Sequence, residues 1–248
     1  MSSQDWTTTL LWPDTHVPGH HVKAVSNLID FVADFQPDRI LCLGDFYDCL
    51  APARWSRATA AEFEPTLQRE FTVGAKVWTE VREVFTGHIG FLEGNHEARL
   101  RKYMTTAAPA FSSLAALTLE SLAGFDELGI ELLPQPYKVA PGWVAIHGDK
   151  LANYGGGSAM KMVKHLGQSV IQGHSHRQGI IHETTDRRRT GFEVGHLSDI
   201  RSAEYLSLGQ ANWQMGFGLL HVKGNTVVPE AVTVEANGSF TYQKVSYV

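Results

Sequence analysis

A chain of 248 residues that is 43% hydrophobic and 19% charged, with a formal net charge of -5, suits one large soluble domain. The negative balance excludes a general nucleic-acid coating protein, whose affinity rests on many Lys and Arg contacts to phosphate, and no apolar run approaches the roughly 20 residues that span a bilayer. Only two cysteines occur, Cys42 and Cys49, too few for a disulfide framework, and "MSSQDWTTTLLWPDTH" lacks the marks of a signal peptide, so a cytoplasmic setting without a membrane partner is expected.

The chain starts in a βαβ manner: "TTLLW" reads as a buried strand, "HHVKAVSNLIDFVADF" as an amphipathic helix closed by Pro37, and "DRILCLGD" as the next strand. A helix over roughly 58–85 follows, with Phe63, Leu67, Phe71, Val77, Val81 and Val84 near helical spacing, and then a third strand, "HIGFLEG". Residues 97–128 read as helical with a break at Pro109, and are expected to pack over the rim as a small cap. Beyond Pro134 and Pro136 the texture changes to short strands, "WVAIHG", "SVIQG", "GIIHETT", "TGFEVG", "FGLLHVK", "TVVPEAVTVEA" and "FTYQKVSYV", interrupted by one helix near 157–166. No linker or repeat divides the chain, so residues 1–248 are taken as a single domain.

Five of the apolar strands end in polar clusters. Asp14 and His16 follow "LLWP", Asp45 and Asp48 follow "ILCLG", Asn95 and His96 follow "IGFLEG", His147 follows "WVAI", and His174 and His176 follow "VIQG". Each alone is as readily a turn or a cap. In α/β sheets, however, ligands bind at the carboxyl ends of strands, so these residues converge on one rim. Carboxylates, imidazoles and one amide oxygen, with no thiolate, suit two divalent ions, manganese first and iron, zinc or nickel as alternatives.

Asp14-x-His16, Gly44-Asp45-x-x-Asp48, Gly94-Asn95-His96-Glu97, His147-Gly148 and Gly173-His174-Ser175-His176 together resemble the ordered motif set of the calcineurin-like metallophosphoesterases, over residues 14–176. The resemblance implies a four-layer α/β/β/α sandwich with a dinuclear centre at the strand ends. It implies one ion on Asp14, His16 and His176, a second on Asn95, His147 and His174, and Asp45 bridging them. It implies attack by a metal-bridging hydroxide, with His96 protonating the leaving oxygen and Asp48 orienting His96. Glu97 is a supporting carboxylate at a helix start.

The Ser/Thr protein phosphatases of this superfamily place a phosphate-clamping arginine directly after the second aspartate, where this chain has Cys49. Cys49 is either a packing residue or a reactive thiol. Arg99 and Arg101 either grip a phosphate instead or belong to a solvated helix face. "DRRRT", carrying Arg187, Arg188 and Arg189, is a hairpin tip that is either a plain turn or an electrostatic lip beside "GHSH". Ser158 is the expected N-cap of the helix after "YGGG".

The expected activity is a phosphodiesterase for nucleotides or nucleic-acid ends, a nuclease among the possibilities, with no obligate protein partner. A phosphomonoesterase is the alternative, and a non-catalytic metal-binding scaffold a third.

Overall fold

The computed structural model describes residues 5–63, 66–202 and 211–248. In chain order the first half runs β1 (Thr7–Trp12), α1 (Val22–Phe35), β2 (Arg39–Cys42), α2 (Ala60–Phe63), α3 (Thr66–Val84), β3 (His88–Leu92), α4 (Glu97–Ala107), α5 (Leu119–Ala123), α6 (Phe125–Leu128) and β4 (Ile130–Leu133). The second half runs β5 (Tyr137–Ala140), β6 (Trp143–Ile146), α7 (Gly157–Leu166), β7 (Ser169–Gln172), β8 (Gln178–Thr184), β9 (Arg188–Val194), β10 (Gly216–Lys223), β11 (Thr226–Thr233), β12 (Phe240–Tyr242) and β13 (Val245–Tyr247).

The first sheet has the order β11-β10-β1-β2-β3-β4, and its four βα-derived strands are parallel. The second has the order β5-β6-β7-β9-β8, with β6, β7 and β9 parallel. Alternate side chains of a strand face opposite ways, and the sequence uses both faces. Leu10, Trp12, Ile40 and Cys42 join α1 and α3 in an outer core, while Leu11, Leu41 and Leu43 meet Ala145, Ile171 and Phe192 between the sheets. Val144, Ile146 and Val170 pack beneath Met160, Met162 and Val163 of α7. Helices, sheet, sheet and helix therefore form the four-layer sandwich.

His21 starts α1 by accepting the Ala24 N–H at Nδ1, and Gln36 ends it in a left-handed conformation just before Pro37. Phe31 on its buried face meets the rings of Phe217, Phe240, Tyr242 and Tyr247. Truncating such a ring to alanine removes about 3–5 kcal/mol. Pro229 is tolerated in β11 because that strand is an edge.

Several local expectations change. The helix near 58–85 is described in two pieces, α2 and α3, with 64–65 outside the described residues. Residues 97–128 divide: α4 borders the rim beside Asn95, whereas Leu119, Ala123 and Phe125 are buried against the α3 side, completing the outer helical layer. "FTYQKVSYV" is a hairpin, not one strand, because Gln243 and Lys244 turn with φ of 46° and 72°. Its β13 pairs with β12 and packs on α1. Gly156, not Ser158, caps α7; buried Ser158 instead accepts the Ala152 N–H at 3.0 Å.

The arginines of "DRRRT" lie at the start of β9, whereas His174 and His176 follow the end of its parallel neighbour β7. Arg187 and Arg189 donate to Gly167 O at the C-terminus of α7, at 2.8 and 3.1 Å, so they close a helix end and form no lip. Among the described residues no helix is long and apolar enough to cross a membrane.

Candidate metal centre and active site

Parallel strands bring their carboxyl ends to one edge, and Asp14, Asp45, Asn95, His147 and His174 leave the sheets there. The two sheets are stitched at this edge: the Leu197 N–H donates to Asp14 O at 2.7 Å, and the His147 ring donates through Nδ1 to Leu43 O at 2.9 Å. His16, Asp45, His174 and His176 have φ of 54, 51, 65 and 55°. Left-handed backbone is uncommon for residues with a Cβ and clusters where the surrounding structure enforces a functional geometry.

Glycine and one carboxylate hold the loops in register. A Cβ on Gly94 would meet Asp45 Oδ1 at 2.2 Å, so only glycine lets the β3 loop approach Asp45. Glu97 is 1% exposed and accepts the N–H groups of Asp45, Tyr47 and Gly94 at 3.0, 2.9 and 2.9 Å. Burial and the charge of Asp45 push its carboxyl up to about 7. Glu70 of α3 does the same for the next turn, accepting from Cys49 and Leu50.

The donor atoms gather in two groups that share this edge, Asp14 with His16 and His176, and Asp45 with His147 and His174. His16 Nε2 and His176 Nε2 converge to 2.9 Å, and His176 Nε2 lies 3.3 Å from Asp14 Oδ2. His147 Nε2 is 3.3 Å from Asp45 Oδ2 and 3.0 Å from Asn95 Oδ1. Buried Asp14 Oδ2 and His174 Nδ1 have no well-formed hydrogen bond among the described residues. Convergent lone pairs and orphaned buried donors fit divalent cations, and the outward Nδ1–H of His147 is the partner a metal-ligating imidazole needs.

Burial opposes ionisation of Asp45, yet His147 and His96 hold it well below the usual carboxylate range. Burial equally opposes a charged His147, but the Asp45 carboxylate raises it to about 10. Burial, with the neighbouring His147, lowers His174, and burial lowers His176 as well.

His96 stands beside this cluster at the start of α4. Its Nδ1 donates to Asp48 Oδ1 at 2.9 Å, and its Nε2 is 3.7 Å from Asp45 Oδ2. Although its Nε2 falls within ligand range of His16 and Asp45, the Nδ1 contact and the bond from Arg99 occupy both ring nitrogens. Burial opposes ionisation of Asp48, but hydrogen bonds from His16 and His96 lower its carboxyl. Arg99 donates from NH2 to His96 Nε2 at 2.7 Å and from NH1 to Asp48 O at 2.8 Å, with its guanidinium 4.6 Å from the Trp55 ring centroid.

Arg101 is not among the residues brought together; it donates to Glu93 Oε2 at 2.9 Å on the solvent side. Cys49 is fully buried, and burial raises its thiol, which makes it a packing residue. His196, to which the sequence assigns no role, belongs to the site: it is 3% exposed, bridges Asp14 in the backbone, and stacks on His176 at 5.3 Å. Burial pushes it down to about 3, so it lies neutral against the ligand. "TGFEVGH" ends an apolar strand just as the other motifs do, and that signal finds it. Gln135, which donates to Glu93 O and accepts the His147 N–H, has no such signal.

Two helical layers around two sheets, with carboxylates and imidazoles at the parallel strand ends, make a fold of the metallophosphoesterase type. The chain belongs to the family of the Gene 54 proteins of Mycobacterium phages D29 and L5. It is 36% and 34% identical to these over 232 residues, 89% of this chain and 91% of each relative. Among solved structures, Vps29 of Chaetomium thermophilum shares the fold at a TM-score of 0.53 and 15% identity, over 97% of this chain and 98% of that one. No family model matches the sequence.

Proposed function

We propose that this protein is a dinuclear-metal-dependent phosphodiesterase acting on nucleotide or nucleic-acid phosphodiesters. The observation that carries the reading is the placement of His96, oriented by Asp48 and 3.7 Å from Asp45, beside two groups of metal-ligating side chains. Asp14, His16 and His176 would hold one ion, Asn95, His147 and His174 the other, and Asp45 both. Manganese is the first choice for this oxygen and nitrogen set, with iron, zinc or nickel as alternatives. Such ions, when bound, activate water for in-line attack and offset the charge gathering on phosphate.

The chain's own residues do the rest. Asp48 fixes the His96 ring through Nδ1, and Nε2 delivers a proton to the leaving oxygen as its bond to phosphorus breaks. Arg99 transfers its guanidinium from that nitrogen to a phosphate oxygen, which opens Nε2 to take up from water the proton it then delivers. Arg101 is an outer phosphate contact that must first release Glu93. A cytoplasmic setting belongs to the same proposal, supported by Cys42 and Cys49 being buried free thiols.

The test is hydrolysis by the manganese-loaded protein of bis-p-nitrophenyl phosphate and of p-nitrophenyl phosphate. The diester is expected to turn over faster. A faster monoester reaction would transfer the reading to a phosphomonoesterase, and inertness toward both, and toward nucleotide diesters, would sink it.

A further inference from the structure

Immediately after Asp48 the chain folds into three successive turns, Ala53 N–H to Leu50 O, Ser56 N–H to Ala53 O and Thr59 N–H to Ser56 O, each at 3.0 Å. Pro52 and Ala53 are buried and anchor this loop, while Arg54, Trp55 and Arg57 stay exposed. Across from it, α4 presents Arg99, Lys102 and Tyr103. Together they line a cleft of about 490 Å³ that reaches the metal-site residue Asn95, and among the described residues no carboxylate lines it. In a chain of net charge -5, this concentration of cations beside the reactive centre is a local feature, not a reflection of composition.

Trp55 decides what the cleft is for. A large ring used for packing is buried, yet Trp55 is 60% exposed, with one face on the Arg99 guanidinium and the rest open to the cleft. The Tyr103 ring lies 5.9 Å from the Arg57 guanidinium, which is steadied by Thr106 Oγ1 at 2.8 Å. Cations interleaved with aromatic faces are what a single strand requires: guanidinium and ammonium groups for successive phosphates, and a ring for an unpaired base. A duplex hides its base faces in its own stack and gains nothing from the indole.

The position of the cleft also fixes which side of the phosphate it serves. Arg99 touches both Trp55 and His96 Nε2, so Trp55 is one guanidinium away from the proton donor. The donor acts on the leaving oxygen, opposite the attacking water, and the cleft therefore lies on the leaving side.

We infer that the cleft formed by Arg54, Trp55, Arg57, Lys102 and Tyr103 binds single-stranded nucleic acid and seats the departing nucleoside on Trp55. This rests on the phosphodiesterase reading for its polarity, though binding can be measured without turnover.

The experiment measures anisotropy of a fluorescein-labelled oligothymidylate of about 12 nucleotides, with phosphorothioate linkages that resist hydrolysis, on the manganese-loaded protein across a salt series. The same protein is assayed in parallel on bis-p-nitrophenyl phosphate. Trp55→Ala is expected to weaken binding roughly 5- to 150-fold, with Trp55→Phe restoring most of it. The double variant Arg54→Ala/Arg57→Ala is expected to lower the slope of log affinity against log salt by about 1.4. A structural role would not change that slope, and thermal melting shows whether these exposed substitutions leave the fold intact. Unchanged affinity and slope in folded variants, or equally tight binding of duplex, would overturn the inference while diester turnover by the wild type left the enzymatic reading standing. Strand binding that falls in the variants, with no diester turnover by the wild type, would retain the binding site and remove the phosphodiesterase reading.

Discussion

Arg99 donates a hydrogen bond to Nε2 of His96 at 2.7 Å. A guanidinium has no acceptor, so this nitrogen presents its lone pair and the imidazole proton sits on Nδ1, given to Asp48. Only once Arg99 has moved can Nε2 of His96 take up a proton from water and pass it to the leaving oxygen. Arg99→Ala is therefore expected to raise KM for a nucleic-acid diester about ten-fold through the lost phosphate contact. Arg99→Lys is expected to recover only part, since one ammonium replaces a fork. Steady-state kinetics on an oligonucleotide checks this; an unchanged KM in both variants would remove Arg99 from substrate binding.

The demand for a proton depends on the leaving group. His96→Ala should lower kcat about 10²- to 10⁴-fold for a nucleoside leaving group and far less for p-nitrophenolate, which departs as an anion. Asp48→Ala should follow the same ranking with a loss of about 10- to 100-fold, because it acts through His96. Equal losses on both substrates would contradict the acid role.

Metal uptake should depend on pH. With His147 raised to about 10 in the ion-free site, a cation at Nε2 displaces a proton throughout the neutral range. Apparent affinity should therefore rise about ten-fold per pH unit between pH 6 and 8, with about one proton released on binding. Calorimetric titration in buffers of different ionisation enthalpy reads that proton directly; its absence would contradict the charged His147.

Gly94→Ala should disable the centre without altering any ligand. The added Cβ would meet Asp45 Oδ1 at 2.2 Å and Asp45 N at 2.3 Å, and backbone cannot yield as a flexible side chain can. The expected outcome is loss of about 1–3 kcal/mol of stability together with weakened metal binding, by thermal melting and metal analysis.

Burial and the neighbouring Asp48 charge raise Glu70 to about 7, against the N–H groups of Cys49 and Leu50. The ordinary value is 4.5, so the folded state holds this proton more tightly than the unfolded chain does. The resulting stabilisation is full below pH 4.5 and is lost as pH rises through 7. Glu70→Gln should flatten the melting-temperature difference between pH 5 and 8; an unaltered difference would contradict the shift.

What the sequence disclosed followed from periodicity and from strand ends. The strands before Asp14, Asp45, Asn95, His147 and His174 are apolar on both faces, and their polar termini stand out against them. "IELL" and "YKVA", which form β4 and β5, are short and framed by prolines, and no alternation marks them as sheet members. Trp55 and Arg57 were illegible for a different reason. Nothing in "PARWSRAT" separates an exposed loop from a cleft wall; only the packing of that loop opposite α4 brings Trp55 over Arg99. Glu97 could be read as a helix-start carboxylate, but its grip on three backbone N–H groups in two loops is a tertiary fact.

The most direct test is a metal titration of turnover. Protein stripped with chelator is given increasing manganese, and hydrolysis of a nucleotide diester is followed in the wild type and in Asp45→Asn. Activity is expected to be absent without metal, to reach a plateau at two equivalents per chain, and to be lost in the variant. Undiminished turnover in stripped protein or in Asp45→Asn, or no turnover with two ions bound, would contradict the proposed function.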